Sequence, residues 1–164
     1  MKIKQASTQD IPAIQSIAFA TWPVTYGEIL SEQQLDYMLD LIYSESSLRK
    51  QMINKKFIIL FDERQQPQGF ASYFTLEDPD IFKLDKLYVF PKMQGSGSGK
   101  ALLNYVIDDV INQGATALRL NVNIHNKAKS FYEKNGFSVI GEADIDIGNG
   151  YFMNDFIMQR KLMC

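Results

Sequence analysis

The chain has 164 residues, of which 46% are hydrophobic, and this length and composition predict a single globular domain over residues 1–164. A formal net charge of −2 excludes binding to nucleic acid through a large excess of basic residues. No stretch reaches about 18 apolar residues and the first residues lead into no apolar run, so neither a transmembrane helix nor a signal peptide is expected.

The first half of the chain predicts a short strand, three helices and then three strands that pair through turns. The alternating stretch Lys2 to Ala6 is the first strand, and a helix with apolar residues at helical spacing follows and is expected to end at Trp22-Pro23. Ser31 caps the second helix, and residues 44–52 form the third. The three strands are predicted at 57–61, 70–76 and 81–90.

The second half predicts a glycine-rich loop, a helix, a strand, a helix and a terminal hairpin. The first helix carries apolar residues from Leu102 to Ile111 and ends at Gly114. Alternation then predicts a strand over 118–124, a helix over 126–135 and two strands joined by Gly148-Asn149-Gly150. Together these elements predict an α/β fold with a mixed sheet and helices on both faces.

The glycine-rich loop, Gln94-Gly95-Ser96-Gly97-Ser98-Gly99-Lys100, lies between a Leu87-Tyr88-Val89 strand and an amphipathic helix. Glycine lets the backbone turn tightly and lets a ligand approach closely. The following helix start adds free N–H groups and a partial positive charge. This combination predicts a site for a phosphate or pyrophosphate.

Three phosphate-binding patterns and one structural alternative compete for this loop. A P-loop fails because Gln94 stands where its first glycine belongs and Ala101 supplies no hydroxyl. The dinucleotide pattern Gly-x-Gly-x-x-Gly fails from either Gly95 or Gly97. The pattern Gln-x-x-Gly-x-Gly is satisfied by Gln94, Gly97 and Gly99. The alternative, a flexible Gly/Ser linker, is disfavoured because periodic elements flank the loop closely.

This pattern, together with the later Phe131-Tyr132-x-x-x-Gly136-Phe137, resembles the GNAT family of N-acetyltransferases. The resemblance implies a GNAT-like mixed, mostly antiparallel sheet of six to seven strands, with helices on both faces. It also implies acetyl-CoA as the cosubstrate, no metal, and direct attack by an amine in a ternary complex. The departing CoA is the product.

The resemblance also assigns cofactor-binding residues. The loop amides would bind the pyrophosphate, and the main chain of Leu87 and Val89 would pair with the pantetheine arm by strand addition. Asn126 is expected both to cap its helix and to contact pantetheine, although capping alone would explain it. Asn123 would line the cleft. The set is Leu87, Val89, Gln94, Gly95, Ser96, Gly97, Ser98, Gly99, Lys100, Asn123 and Asn126.

Two catalytic residues are expected. Tyr132, in the Phe-Tyr block, would protonate the departing thiolate, a transfer uphill by roughly 2 kcal/mol from ordinary pKa values. An alkylamine is mostly protonated at neutral pH, so a base is also required. Many family members place Glu where this chain has Lys83, and Asp85 is the nearest carboxylate on the same strand face. His125 is better explained as a surface or capping residue.

Softer matches in the Ala20-to-Tyr26 segment, in Asp85-Lys86-Leu87-Tyr88-Val89 and in Asp155-Phe156-Ile157-Met158 resemble PaiA-type spermidine/spermine acetyltransferases. A small-molecule amine, with a polyamine as one candidate, is therefore the expected acceptor. No nucleic-acid or membrane partner is expected, and a homodimer is left open. The lone Cys164 cannot form a disulfide within the chain, which fits a cytoplasmic location. Two alternatives remain: a protein or peptide N-acetyltransferase, and a non-catalytic acyl-CoA sensor.

Overall fold

The computed structural model describes residues 1–162, so Cys164 lies outside the described part of the chain. Within residues 1–162 there are seven strands and five α-helices. The strands are β1 (Lys2–Gln5), β2 (Lys56–Phe61), β3 (Pro67–Thr75), β4 (Ile81–Val89), β5 (Ala117–Asn123), β6 (Ser138–Gly148) and β7 (Tyr151–Lys161). The helices are α1 (Ile11–Tyr26), α2 (Glu32–Tyr43), α3 (Glu45–Asn54), α4 (Ser98–Asn112) and α5 (Ala128–Lys134).

All the strands belong to one mixed sheet of order β1-β2-β3-β4-β5-β7-β6 among the described residues. The β4–β5 pair is parallel, and the other neighbouring pairs are antiparallel. The parallel pair is connected through α4, as a crossover connection requires. The predicted mixed, mostly antiparallel α/β sheet of six to seven strands is confirmed, with seven strands among the described residues.

Each face of the sheet packs against its own hydrophobic core. Ile58 and Leu60 of β2 point into a core under α4 and α5, whereas Phe57 and Ile59 point into a second core under α1, α2 and α3. The alternation follows from the period of two along a strand. Because both faces are covered by helices, β2 is apolar throughout its centre.

Helix α1 does not end at Trp22-Pro23 as the sequence predicts, but continues through Pro23 to Tyr26. A proline inside a helix removes one hydrogen bond and costs about 3 kcal/mol. Here Trp22 and Tyr26 are both buried and their rings pack 4.5 Å apart, and this burial offsets the cost. The extra turn places Tyr26 beside the cleft between β4 and β5.

Strand β4 contains a bulge that period-two alternation does not predict. Ser72 of β3 pairs with Lys86, whereas Tyr73 pairs with Leu84, so Asp85 is the extra residue on β4. The parallel pairing with β5 runs from Ile81 to Leu84 and stops at the bulge. Beyond it the two strands separate, and the main chain of β4 becomes an edge inside the sheet.

The β6–β7 hairpin closes the other end of the sheet. Its turn is the predicted Gly148-Asn149-Gly150, in which Asn149 has φ 55° and Gly150 has φ 78°. The Tyr37 hydroxyl of α2 donates to the carbonyl of Ile147 at 2.9 Å. This bond fastens the hairpin to α2 above the sheet face that carries Asn121 and Asn123. Within residues 1–162 no helix is long and apolar enough to span a membrane.

Candidate active site

A cleft of about 670 Å³ opens where β4 and β5 separate. This volume lies in the usual range for small-molecule sites. The glycine-rich loop and α4 bound one end, α5 forms a side wall, and the C-terminal turn of α1 covers the other end. Lining residues with a predicted role are Asp85, Leu87, Val89, Gln94, Gly95, Gly97, Gly99, Lys100, Asn126 and Tyr132.

The loop presents main-chain N–H groups to this cleft. Gly95 and Gly97 have φ values of 83° and 89°, which glycine adopts without the steric penalty that a side chain would bring. The first amide of α4 with an intrahelical partner, among the residues described, is that of Ala101, which donates to Gly97. The amides of Gly99 and Lys100 therefore precede the helical ladder and are free to bind an anion.

The side chains of three predicted cofactor-binding residues, Ser96, Ser98 and Asn123, form hydrogen bonds within the protein. Ser98 is fully buried and its hydroxyl lies 2.8 Å from that of Ser96, so the serine pair supports the loop from behind. Asn123 is 6% exposed, and its side-chain oxygen accepts the N–H of His125 at 2.9 Å. The predicted contact of Asn123 with the cleft is replaced by this turn, while Asn121 lines the cleft on the same face of β5.

The side chains of Leu87 and Val89 pack against the core beneath α4. Both residues also line the cleft, beyond the point where β4 leaves β5. Main-chain groups that face the gap have no strand beside them in the sheet. An extended arm with amide groups can pair with this edge as an added strand.

Tyr132 stands in the side wall formed by α5. It is 8% exposed, and its ring packs edge-on against Phe131 and Phe137 at centroid distances of 5.2 and 5.7 Å. Burial, with a smaller effect from Tyr26, raises the pKa of Tyr132 well above its ordinary value. The phenol therefore stays protonated at neutral pH, as a proton donor must.

Tyr26 brings a second phenol to the cleft. Its hydroxyl lies 3.1 Å from that of Tyr88, which is partly buried and packs beside Trp22. Burial raises the pKa of Tyr26 and the hydrogen bond with Tyr88 partly opposes this. Asn126, also in the cleft wall, accepts the N–H of Ala128 at 2.9 Å through its side-chain oxygen. It therefore supports the start of α5 from the position before the N-cap residue Lys127, and α5 begins two residues later than expected.

Asp85 lines the cleft, but its carboxylate is held by cations. Oδ2 accepts from Lys55 Nζ at 2.9 Å, from the adjacent Lys86 Nζ, and from the Ser72 hydroxyl at 3.4 Å. Burial alone would raise the pKa of Asp85, but the two ammonium groups outweigh it and lower the pKa. Such a carboxylate has a low proton affinity. The base role that the sequence assigns to Asp85 stays a prediction, and these contacts argue against it.

Several site residues are missed by sequence motifs. Tyr88 reads as a core residue of its strand, and Tyr26 lies beyond a proline that predicts a helix end. Asp155 follows a detectable signal: it shares one strand face with Met153 and Ile157, so alternation places a carboxylate at an inward position. Among residues 1–162 no group of three or more His, Cys, Asp or Glu side chains is arranged to hold a metal.

Comparisons with known proteins agree with this geometry. Residues 28–150 match the family model described as an acetyltransferase (GNAT) domain. The chain is 27% identical to the spermidine N(1)-acetyltransferase of Thermoplasma acidophilum, covering 98% of this chain and 97% of that protein. It is 34% identical to the ribosomal protein bS18-alanine N-acetyltransferase of Haemophilus influenzae, over 55% of this chain and 57% of that protein.

A solved structure extends the comparison. The crystal structure of the PaiA N-acetyltransferase of T. acidophilum in complex with coenzyme A superimposes with a TM-score of 0.83 at 27% identity, covering 98% of each chain. A split sheet beneath a glycine-rich loop, with a buried tyrosine beside it, thus defines a coenzyme A-dependent acyltransferase. The chain belongs to the GNAT family of acetyltransferases, because the family model covers well over half of it. It is an N-acetyltransferase whose cosubstrate is acetyl-CoA.

Proposed function

We propose that this enzyme transfers acetyl from acetyl-CoA to a small primary amine, and that a polyamine is the leading candidate. The observation that carries the proposal is one continuous cleft. It runs from the loop amides past Tyr132 to the turn after α1, where Glu28 contributes a carboxylate. A cationic amine is favoured at such an end. The sequence relationship to a spermidine acetyltransferase supports the same substrate class.

The cleft supports direct transfer in a ternary complex. The amides of Gly99 and Lys100 would hold the pyrophosphate, and the free edge of β4 near Leu87 would pair with pantetheine. The thioester would then lie beside Tyr132. The neutral amine attacks the thioester carbonyl, and the carbon–sulfur bond breaks as the Tyr132 hydroxyl gives its proton to the departing thiolate.

Polyamine recognition would draw on acidic side chains at the cleft mouth. Glu28 lines the cleft, and Glu32 and Asp36 follow on the first turns of α2. Acidic side chains at the cleft mouth raise the local concentration of a cationic substrate. Because exposed charges are screened by salt, the KM for a polyamine should rise with ionic strength.

The test is acetyl-CoA consumption with a panel of acceptors. The panel contains spermidine, spermine, a simple monoamine, and a peptide with a free N-terminal alanine. Turnover of the polyamines well above the peptide supports the proposal. The relationship to the bS18-alanine acetyltransferase makes the peptide the second candidate, and exclusive turnover of that peptide would overturn the small-amine assignment.

The third alternative, an acyl-CoA sensor without activity, is separated by the same assay. Binding of CoA without turnover of any acceptor would support a sensor. The buried, protonated Tyr132 in the cleft wall argues for catalysis, because a sensor has no need of a proton donor at that position.

A further inference from the structure

Asp155 is a buried carboxylate with an unused oxygen. It lies on β7 opposite Asn123 of β5 and Ala143 of β6, and it is 9% exposed. Among the residues that the structure describes, its Oδ1 atom is buried and has no hydrogen-bond partner. Leaving a buried charged acceptor unpaired destabilises the folded state, because the group loses its hydration without gaining a hydrogen bond. A group retained at such a cost calls for an explanation other than stability.

The surroundings of Asp155 point toward the acceptor end of the cleft. Two residues that line the cleft, Asn121 and Tyr26, interact electrostatically with this carboxylate. Asn121 lowers the pKa of Asp155 by hydrogen bonding. The Asp155 charge contributes to raising the pKa of Tyr26. Asp155 pairs with Asn123 of β5, two residues along that strand from the cleft-lining Asn121, so the side chains of Asp155 and Asn121 lie on the same face of the sheet.

The charges around Asp155 leave its proton affinity high. Burial raises the pKa of Asp155, while Asn121 and the ammonium group of Lys83 on β4 oppose the rise without cancelling it. The charged and polar groups that interact electrostatically with Asp155 are Lys83 from β4, Tyr26 from α1 and the neutral Asn121 from β5. Its partners in the sheet are Asn123 and Ala143, which are also neutral. The pKa of Asp85 on β4 is instead lowered, because Lys55 and Lys86 form ion pairs with its carboxylate.

We propose that Asp155 is the proton acceptor that converts the substrate ammonium into the neutral, attacking amine. The inference rests on the proposed N-acetylation of an amine. It assigns to β7 the role that the sequence assigns to Asp85. Asp155 receives the proton across the cleft wall at Asn121 and Tyr26, through a hydroxyl or a water molecule, rather than by touching the amine itself.

The protons balance in this scheme. The ammonium gives one proton to Asp155 Oδ1 and becomes a neutral amine, which attacks the thioester carbon. The carbon–sulfur bond breaks, Tyr132 protonates the thiolate, and the proton lost by the new amide nitrogen restores Tyr132. Asp155 then releases its proton to solvent. The net change is one amide, one thiol and one proton from an ammonium ion and a thioester.

The test compares Asp155→Asn, Asp155→Glu and a matched control, Asp144→Asn, with the wild-type enzyme. Asp144 is exposed on the neighbouring strand β6 and receives the same change. For each variant, kcat and KM are measured from pH 5 to 9, with CoA affinity by calorimetry and Tm by scanning calorimetry. The acceptor is whichever member of the panel is acetylated fastest.

We expect Asp155→Asn to lower kcat about 100-fold, within the usual range for loss of an acid–base group. Its pH profile should lose the acidic limb that reports ionisation of the carboxylate. CoA affinity should stay within twofold, and Tm should be unchanged or higher because an unpaired buried charge has been removed. Asp155→Glu should recover part of kcat and restore an acidic limb, while Asp144→Asn should match the wild type.

Three results would overturn the assignment. The first is an Asp155→Asn enzyme with kcat within threefold of the wild type. The second is an equal loss of activity at every pH accompanied by a lower Tm, which identifies a structural carboxylate. The third is loss of the acidic limb in Asp85→Asn but not in Asp155→Asn. If a peptide proves to be the acceptor, the proposed substrate is wrong, yet the same profiles still test Asp155.

Discussion

Substitution by alanine should leave the stability of the protein unchanged or higher at Gly99 and should lower it at Gly97, although the two glycines are two residues apart in one loop. An added Cβ at Gly99 would lie 3.6 Å from Phe131 Cζ and 3.8 Å from Leu87 Cδ2, which is ordinary contact. The backbone there is helical, where alanine is favoured over glycine by up to about 1 kcal/mol. Gly99→Ala should therefore fold at least as stably as the wild type.

Gly97 has φ 89°, and its added Cβ would meet no protein atom of the described chain within 4 Å. The cost at this position is conformational, about 1–2 kcal/mol for a residue other than glycine in the left-handed region. For a chain of this size, such a loss lowers Tm by roughly 2–8 °C. Both glycines line the cleft, so both variants should bind CoA at least tenfold more weakly, which is about 1.4 kcal/mol.

Gly114 supplies the matched control. It also has positive φ, at 91°, with open space around an added Cβ, but it follows α4 and does not line the cleft. Gly114→Ala should lose stability as Gly97→Ala does and keep the CoA affinity of the wild type. Calorimetric titration of the three variants with CoA measures the exclusion of the ligand, and thermal unfolding measures the effect of backbone strain on stability.

Wild-type CoA affinity in Gly99→Ala would refute the placement of the cofactor against this loop. Weak CoA binding by Gly114→Ala would refute the distinction between backbone strain and ligand exclusion, because strain alone would then explain the loss of CoA affinity. The contacts around the loop also predict the order of stability, with Gly99→Ala highest and the two strained variants lowest.

Three further outcomes are expected. Tyr132→Phe should lower kcat about 10- to 1000-fold with CoA affinity nearly unchanged, and an unaltered kcat with chemistry rate-limiting would make Tyr132 a packing residue. Asp85→Asn should lose roughly 3 kcal/mol of unfolding free energy at pH 7, because Lys55 and the buried Lys86 lose their counter-ion. The folded-state pKa of Asp85 is lowered, so its stabilisation is present above about pH 4 and is lost as pH falls further; urea unfolding should show the difference shrinking there. Tyr37→Phe removes the bond to Ile147 and should raise the KM for the acceptor while leaving the KM for acetyl-CoA unchanged in steady-state assays.

Much of the fold could be predicted because its signals are local. The glycine-rich loop, the alternation along β5 and the Asn149-Gly150 turn each depend on neighbouring residues. The bulge at Asp85 could not be predicted, because an extra residue in one strand is visible only beside its partner strand. Pro23 was misleading for a related reason: the burial of Trp22 and Tyr26, a tertiary effect, outweighs its local preference.

The site was predictable to a smaller extent. Motifs identify Tyr132 and the loop, since their spacing is a property of the sequence. The choice between Asp85 and Asp155 depends on which carboxylate forms ion pairs with lysines. That is decided by Lys55, which follows α3 and reaches Asp85 on β4, and by the adjacent Lys86. Alternation along β7 predicts that Asp155 lies at an inward position, but it does not predict whether a hydrogen-bond donor lies beside the carboxylate.

The bulge in β4 also divides the sheet mechanically. Parallel pairing joins Ile81–Leu84 to Ala117–Leu120, so β1–β4 and β5–β7 form two panels connected along a short seam. A small rotation about this seam changes the width of the gap between the panels without breaking either antiparallel ladder. The same feature that exposes a strand edge therefore leaves the two panels joined by a short seam, and a ligand that bridges both panels would add contacts between them.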